Sequence, residues 1–117
     1  MAMVSSLTTL VRHPMLVAGA GVITQLRLVN SGGATVDTKA VTWGSPSAGS
    51  PSATVSIIDI ASSVIFNVAT GITVTGLRLL NAGGTVLGEV DIANETFATA
   101  GTYTLTKLEI KLTVEGI

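Results

Sequence analysis

The sequence contains no cysteine and only one histidine, and only 11% of its 117 residues are charged. The absence of cysteine excludes disulfides, thiolate catalysis and cysteine-based metal sites. A zinc site around His13 would need carboxylates for its other ligands, which is an uncommon set. Because an average soluble domain has about 25% charged residues, we expect other subunits to cover part of this protein's surface.

The few charges nearly cancel and are spread along the chain. Six basic and seven acidic residues give a net charge of −1, without a basic cluster. A nucleic-acid-binding surface needs a stripe of cations that neutralise phosphates, so we expect no nucleic-acid partner. The uncharged residues 60–77 include Asn67, Gly71 and several hydroxyl side chains, which make a poor membrane span. We therefore expect no membrane partner either.

Signatures of catalysis are scarce as well. Serine is plentiful, but the G-x-S-x-G turn of serine hydrolases does not occur. Asp91 and Glu95 could form a carboxylate pair for glycoside hydrolysis, although solvated acids are routine at a strand end and in a loop. The segment at residues 19–21 (GAG) resembles the start of a dinucleotide-binding motif, but the third glycine of that motif is absent. We predict a protein that is not an enzyme and uses no cofactor.

Two segments of the chain are nearly the same. Residues 24–33 (TQLRLVNSGG) match residues 75–84 (TGLRLLNAGG) at seven of ten positions, at an offset of fifty-one. At an offset of fifty, residues 54–60 (TVSIIDI) resemble residues 104–110 (TLTKLEI). The matches predict two tandem units of about fifty residues, and the alternative is chance similarity among sequences rich in Thr, Val and Gly.

Alternation of apolar and polar residues predicts strands along most of the chain. Residues 105–114 alternate between apolar positions on one face and two lysines and a glutamate on the other. No window shows a convincing helical period, and the abundant Thr, Val and Ile favour sheet. We predict a single all-β domain, a β-sandwich or Greek-key barrel of about eight strands. Its two four-stranded repeats would span about residues 11–61 and 62–117, after an arm at residues 1–10.

The repeated N-x-G-G segment predicts a tight hairpin turn in each unit, since Asn and Gly tolerate positive φ. The turn residues are Asn30, Gly32, Gly33, Asn81, Gly83 and Gly84. Closing the turns would bring Arg27 near Asp37, and Arg78 near Glu89. Each exposed pair contributes about 0.2–1 kcal/mol, so we interpret the pairs as register devices. The alternative is a twice-repeated arginine-lined site.

Two regions are candidates for contact with a partner. The uncharged residues 1–10 form either a frayed terminus or, as we favour, an arm that adds a strand to a neighbouring subunit. Residues 44–52 (GSPSAGSPS) form a loop because proline is excluded from sheet interiors, and residues 94–101 are its counterpart. Trp43 directly precedes the first loop and Phe97 lies in the second, and each aromatic residue either caps the core or anchors a partner. The predicted contact residues are Met1, Met3, Val4, Leu7, Leu10, Trp43, Pro46, Pro51 and Phe97.

Three runs of the sequence, TWGSPSAGS, VIFNVATGITVTGLRLLNAGGTVLGEVDI and ETFATAGTYTLTKLEIKLT, resemble small β-rich structural proteins of tailed bacteriophages. Members of that group carry a WG-x-x-SAGS loop, an ITFNV-x-x-G strand and a G-T-L-L-G turn. The resemblance covers about residues 41–113 and departs at Arg78, where the group usually has an aromatic residue. It implies a virion component that is assembled in the host cytoplasm and binds the major coat protein or other virion proteins.

Two virion roles fit these features. A capsid decoration, or cement, protein would bind and stabilise the coat lattice, whereas a tail or tail-fibre component would form a small oligomer on the tail. We favour the decoration role and expect a homo-oligomer or a lattice-bound subunit. A carbohydrate-binding β-sandwich module is a third hypothesis, although aromatic residues at 3% leave little for a sugar platform.

Overall fold

The computed structural model describes residues 7–52 and 54–114. The helix is α1 (Thr9–Val22), and the strands are β1 (Gln25–Asn30), β2 (Thr35–Ala40), β3 (Ser47–Ala48), β4 (Val55–Asp59), β5 (Val64–Val68), β6 (Ile72–Leu80), β7 (Val86–Phe97), β8 (Gly101–Leu105) and β9 (Glu109–Thr113). The chain is mostly β, with several antiparallel sheets, in rough agreement with the predicted all-β sandwich. No closed barrel forms among these residues.

The described residues divide into two compact units. The first consists of residues 7–21, 43–52, 54–62 and 107–114, and contains α1 up to Gly21 with the sheet β3-β4-β9. The second consists of residues Val22–Thr42 and Ser63–Thr106, and contains the sheet β2-β1-β6-β7 with the pair β5-β8.

Helix α1 shows that the expectation of no helical segment was wrong. Arg12, Leu16 and Ala20 are its buried residues, and their four-residue spacing places them on one face. The helix also contains Pro14 and two glycines, which are poor helix formers. Since its exposed positions are largely apolar too, the sequence lacks the contrast that normally reveals a helix.

The core of the first unit joins α1 to its sheet. Leu16 and Ala20 of the helix pack with Ile58, in the central strand β4. The partly buried side chains of Trp43, Ile110 and Leu112 pack against this cluster. The predicted strand at residues 105–114 is interrupted at residues 106–108, so it forms the end of β8 and all of β9.

The second unit is built around the neighbouring strands β1 and β6. They pair antiparallel, with Leu28 opposite Leu77 and Arg27 opposite Arg78. The leucines are buried on one face of the sheet, while the arginines point to the other. Strand β2 pairs with β1, and β7 pairs with β6, so each central strand carries one hairpin partner.

The two repeated segments form equivalent hairpins. Arg27 lies opposite Thr38, and Arg78 lies opposite Glu89. The offset of fifty-one that relates the two arginines also relates Thr38 to Glu89, so the two hairpins have the same register at this point. The second pair of repeated segments differs, because residues 55–59 form β4 whereas residues 106–108 lie between strands. The shared geometry is that of a hairpin, and a four-stranded repeat stays a prediction.

Strand β7 is longer than the sequence predicts. Residues 94–101 were expected to form a loop, but β7 extends to Phe97. The added residues are held by β6, where Thr73 lies opposite Thr96 and their hydroxyl oxygens are 2.9 Å apart. Cross-strand pairing therefore overrides the weak strand propensity of Asn94 and Glu95.

Arg12 is almost fully buried in the first unit, with 1% exposure. Its Nε donates a hydrogen bond to the buried hydroxyl of Ser56 over 2.8 Å, and its Nη2 donates to the carbonyl of Ser52 over 2.7 Å. A third hydrogen bond runs from Nη1 to the carbonyl of Leu7. The guanidinium thus connects α1 to strand β4, to Leu7 before the helix, and to Ser52 before the strand.

We expect Arg12→Ala to lower the free energy of unfolding by about 2–4 kcal/mol, because it leaves the buried Ser56 hydroxyl and two partly buried carbonyls without their charged donor. Arg12→Lys should recover only part of the loss, since an ammonium lacks the planar fork of the guanidinium. Urea unfolding measures both changes. Val17→Ala, at an exposed position of the same helix, is the control and should change stability by less than about 0.5 kcal/mol. A neutral Arg12→Ala would contradict this account of the first unit.

Candidate functional site

A row of four polar residues crosses one face of the sheet in the second unit. The pairing register places Thr38, Arg27, Arg78 and Glu89 side by side on four neighbouring strands. The predicted ion pair between Arg78 and Glu89 forms, with 3.3 Å between Nε and Oε1. The two arginines lie directly opposite each other, and this ion pair offsets part of their repulsion.

The predicted ion pair between Arg27 and Asp37 was wrong. Asp37 lies opposite Leu28, one position from Arg27, so the two side chains point to opposite faces of the sheet. The Asp37 carboxylate instead accepts a hydrogen bond from the backbone N–H of Asn67 in β5 over 2.8 Å, and lies 3.6 Å from the Lys39 ammonium. The Nε of Arg27 is buried and has no hydrogen-bond partner among residues 7–52 and 54–114.

The two turns have nearly identical geometry. Gly33 has φ of +78° and Gly84 has φ of +81°. In each turn the side-chain carbonyl of the leading asparagine accepts a backbone N–H from four residues later, over 2.9 Å for both Asn30 and Asn81. The last glycine of each repeated N-x-G-G segment is therefore required by the turn, since only glycine adopts this φ without strain. A Cβ added at either remaining turn glycine, Gly32 or Gly83, would lie 3.5 Å from the side-chain oxygen of the asparagine in the same turn.

A cavity of about 180 Å³ opens beside the first turn. Its base is Gly76, where a Cβ would come within 3.2 Å of the carbonyl oxygen of Val90. The registers of both pairings of β6 shift at this point, and such bulges open a sheet locally. The lining residues are Val29, Asn30, Ser31, Gly33, Thr75, Gly76, Leu77, Arg78, Glu89, Val90 and Asp91.

The polar groups of this cavity are mostly engaged in structure. Arg78 is paired with Glu89, and the Thr75 hydroxyl donates to the carbonyl of Asn30 over 3.0 Å. Asp91 is exposed and takes part in no ion pair among the residues that the structure describes. The cavity thus offers one free carboxylate to a small cationic or hydroxyl-bearing group, and no aromatic ring for a sugar to stack on.

Acidic side chains dominate the exposed face of β7. Glu89, Asp91 and Glu95 are all exposed, and β7 contains no basic residue. The negative charge of Glu95 reaches β8, where partial burial raises the pKa of Tyr103 and this carboxylate raises it further. Within the described residues, no group of three or more His, Asp or Glu side chains is placed to hold a metal ion.

Helix α1 carries an apolar surface that sequence reasoning missed. Val11, Met15, Ala18 and Val22 are exposed and follow each other at intervals of four, three and four residues. This spacing places them on one face, turned away from buried Leu16. We call these four residues the α1 stripe. A helix that is apolar on all sides is normally covered on all sides, so the stripe suits contact with another molecule.

The predicted contact residues are scattered over different environments. Met1, Met3 and Val4 lie outside the described residues. Leu7 is half-buried, whereas Leu10 is 85% exposed and belongs to α1, which begins within the predicted arm. Their role in partner contacts stays a prediction.

The loop residues among them differ in exposure. Trp43 packs against the core of the first unit, in the way expected of a core cap, and forms a bridge with Ile60. Pro46 is half-buried, and Pro51 is exposed. Phe97 is half-buried at the end of β7, with its ring beside Gly101. Of these, Pro51 is the most accessible to a partner.

No family model, curated protein or solved structure matches this chain. None of the helical segments in the described residues is long and apolar enough to cross a membrane.

The two equivalent turns allow a matched test of the contact between the first turn and Arg78. Gly84→Ala should cost about 1–2 kcal/mol of folding free energy from backbone strain alone, since nothing lies within 4 Å of the added Cβ. Gly33→Ala should cost more, because its Cβ would lie 3.1 Å from Nη2 of Arg78. Urea unfolding measures the difference.

The excess cost at Gly33 should disappear in the background of Arg78→Ala, because the obstructing side chain is then gone. If the two glycine substitutions cost the same in the wild-type background, Arg78 moves aside freely and does not hold the turn.

Proposed function

We propose that this protein is a capsid decoration protein of a tailed phage, which binds the assembled coat lattice and stabilises it without catalysing a reaction. The observation that carries the proposal is the α1 stripe. Val11, Met15 and Val22 are 43%, 48% and 54% exposed, and the helix presents no charged side chain to solvent. Such a surface is suited to permanent contact with a partner.

Two features of the sequence support the same proposal. Its resemblance to small β-rich phage structural proteins covers about residues 41–113. The low content of charged residues, 11%, fits a subunit whose surface is partly covered in an assembly. The partners are then the major coat protein or other virion proteins, and the location is the virion.

We further propose that the chain is a β-sandwich that arose from two tandem copies of one unit. The equivalent hairpins β1–β2 and β6–β7 support this origin, since they share the turn geometry and the register of their arginines. A tail or tail-fibre component remains the alternative role.

The copy number in purified particles separates the two virion roles. We expect quantitative mass spectrometry to give a simple ratio of this protein to the major coat protein, close to the copy number of the coat lattice. A handful of copies per particle would assign the protein to the tail. Complete absence from particles would overturn the virion proposal.

The α1 stripe is tested by one charge substitution and a matched control. Met15→Lys should reduce occupancy on particles at least tenfold at limiting protein, which corresponds to about 1.4 kcal/mol of binding free energy. Ile65→Lys introduces the same charge at a residue of β5 that is 54% exposed, against 48% for Met15, and should leave occupancy unchanged. Equal occupancy of the two variants would show that the stripe is not the binding surface.

A further inference from the structure

Strand β9 forms a short, regular edge of the sheet in the first unit. It pairs with β4 from Glu109 to Thr113 without a register shift, and no strand lies on its other side among residues 7–52 and 54–114. The acidic edge strand β7, in contrast, pairs with β6 through two register shifts. Bulges protect an edge from pairing, and β9 has none in its pairing with β4.

The charges on the outward face of β9 are incompletely matched among the residues that the structure describes. Glu109 lies opposite Asp59, so two acids face each other across the strands. Lys107 lies 3.0 Å from Glu109, and this hydrogen-bonded contact raises the pKa of Lys107. One negative charge is left over in this group. Two residues along, the exposed Lys111 takes part in no ion pair among the described residues.

A second copy of the same strand supplies the missing charges. If two β9 strands pair antiparallel around a two-fold axis at Ile110, Glu109 of each copy lies opposite Lys111 of the other. An axis at Lys111 would place two lysines opposite each other, and an axis at Glu109 would do the same with two glutamates. Like charges directly opposite are unfavourable, so of these three axes the charge pattern favours the one at Ile110.

The inward face of the strand fits the same register. Ile110 and Leu112 are half-buried and pack against the cluster that includes Leu16 and Ala20 of α1, and Leu108, directly before β9, is half-buried too. Pairing around Ile110 sets Ile110 opposite its own copy and, if the pairing continues one residue beyond β9, Leu108 opposite Leu112. Apolar residues therefore meet apolar residues on one face, while opposite charges meet on the other.

We propose that the chain forms a two-fold dimer in which the β9 strands of two copies pair antiparallel around Ile110. The sheet β3-β4-β9 then continues across the axis as six strands, and the interface is isologous. The dimer follows from the geometry of β9 alone and does not depend on the proposed virion function.

Charge reversal tests both the interface and its register. Sedimentation equilibrium of the full chain, at concentrations of up to about 1 mM, should show a dimer. Concentrations this high are needed because small interfaces bind weakly. Glu109→Lys and Lys111→Glu should each weaken dimerisation at least tenfold, since each creates two like-charge contacts. Asp91→Lys makes the same charge change on edge strand β7 and should leave the dimer intact.

Restoration is the decisive result. The double variant Glu109→Lys with Lys111→Glu should dimerise again, and an equimolar mixture of the two single variants should form a heterodimer. Circular dichroism confirms that each variant is folded. A monomeric wild-type chain at about 1 mM, dimers that persist in both single variants, or a double variant that stays monomeric would each overturn the proposal.

Discussion

The antiparallel pairing of β1 with β6 is the constraint on which the second unit depends. Leu26, Leu28 and Leu77 are buried on one face of this pair, and their alternation with arginines fixes which face each residue occupies. A shift of one residue would bury both arginines. Since β2 and β7 attach to these strands through similar turns, the position of the polar row and of the cavity follows from this register.

The sequence predicted the parts of the fold that depend on local chemistry. Alternation and N-x-G-G turns predicted the hairpins, and the Arg78–Glu89 pair forms. Prediction from the sequence failed where strand register or tertiary contacts determine the structure. Asp37 is one position out of line with Arg27, and the end of β7 is held by pairing with β6. Helix α1 was missed because its buried face contains an arginine and its exposed face is apolar.

The candidate surfaces were partly hidden from sequence analysis for the same reason. The cavity depends on register shifts beside Gly76, and no composition rule signals a bulge that two partner strands define together. The α1 stripe appears only once Arg12 and Leu16 are known to face inward. In contrast, the alternation of β9 was visible in the sequence, and the structure adds that this strand is an edge.

The placement of the few charged residues determines which surfaces of the protein carry charge and which do not. Of the three salt bridges that the described residues form, the one between Arg78 and Glu89 joins neighbouring strands, the one between Asp37 and Lys39 lies within β2, and the one between Lys107 and Glu109 lies at the start of β9. The only charged residue of α1 is Arg12, and it is buried in hydrogen bonds. The helix is consequently left without exposed charge. In a chain with so few charges, the uncharged α1 stripe and Lys111, which takes part in no ion pair among the described residues, lie on the two surfaces that we propose for contact with other molecules. The two surfaces differ chemically: the stripe fits an apolar partner, whereas the β9 edge fits a strand with a defined order of charges.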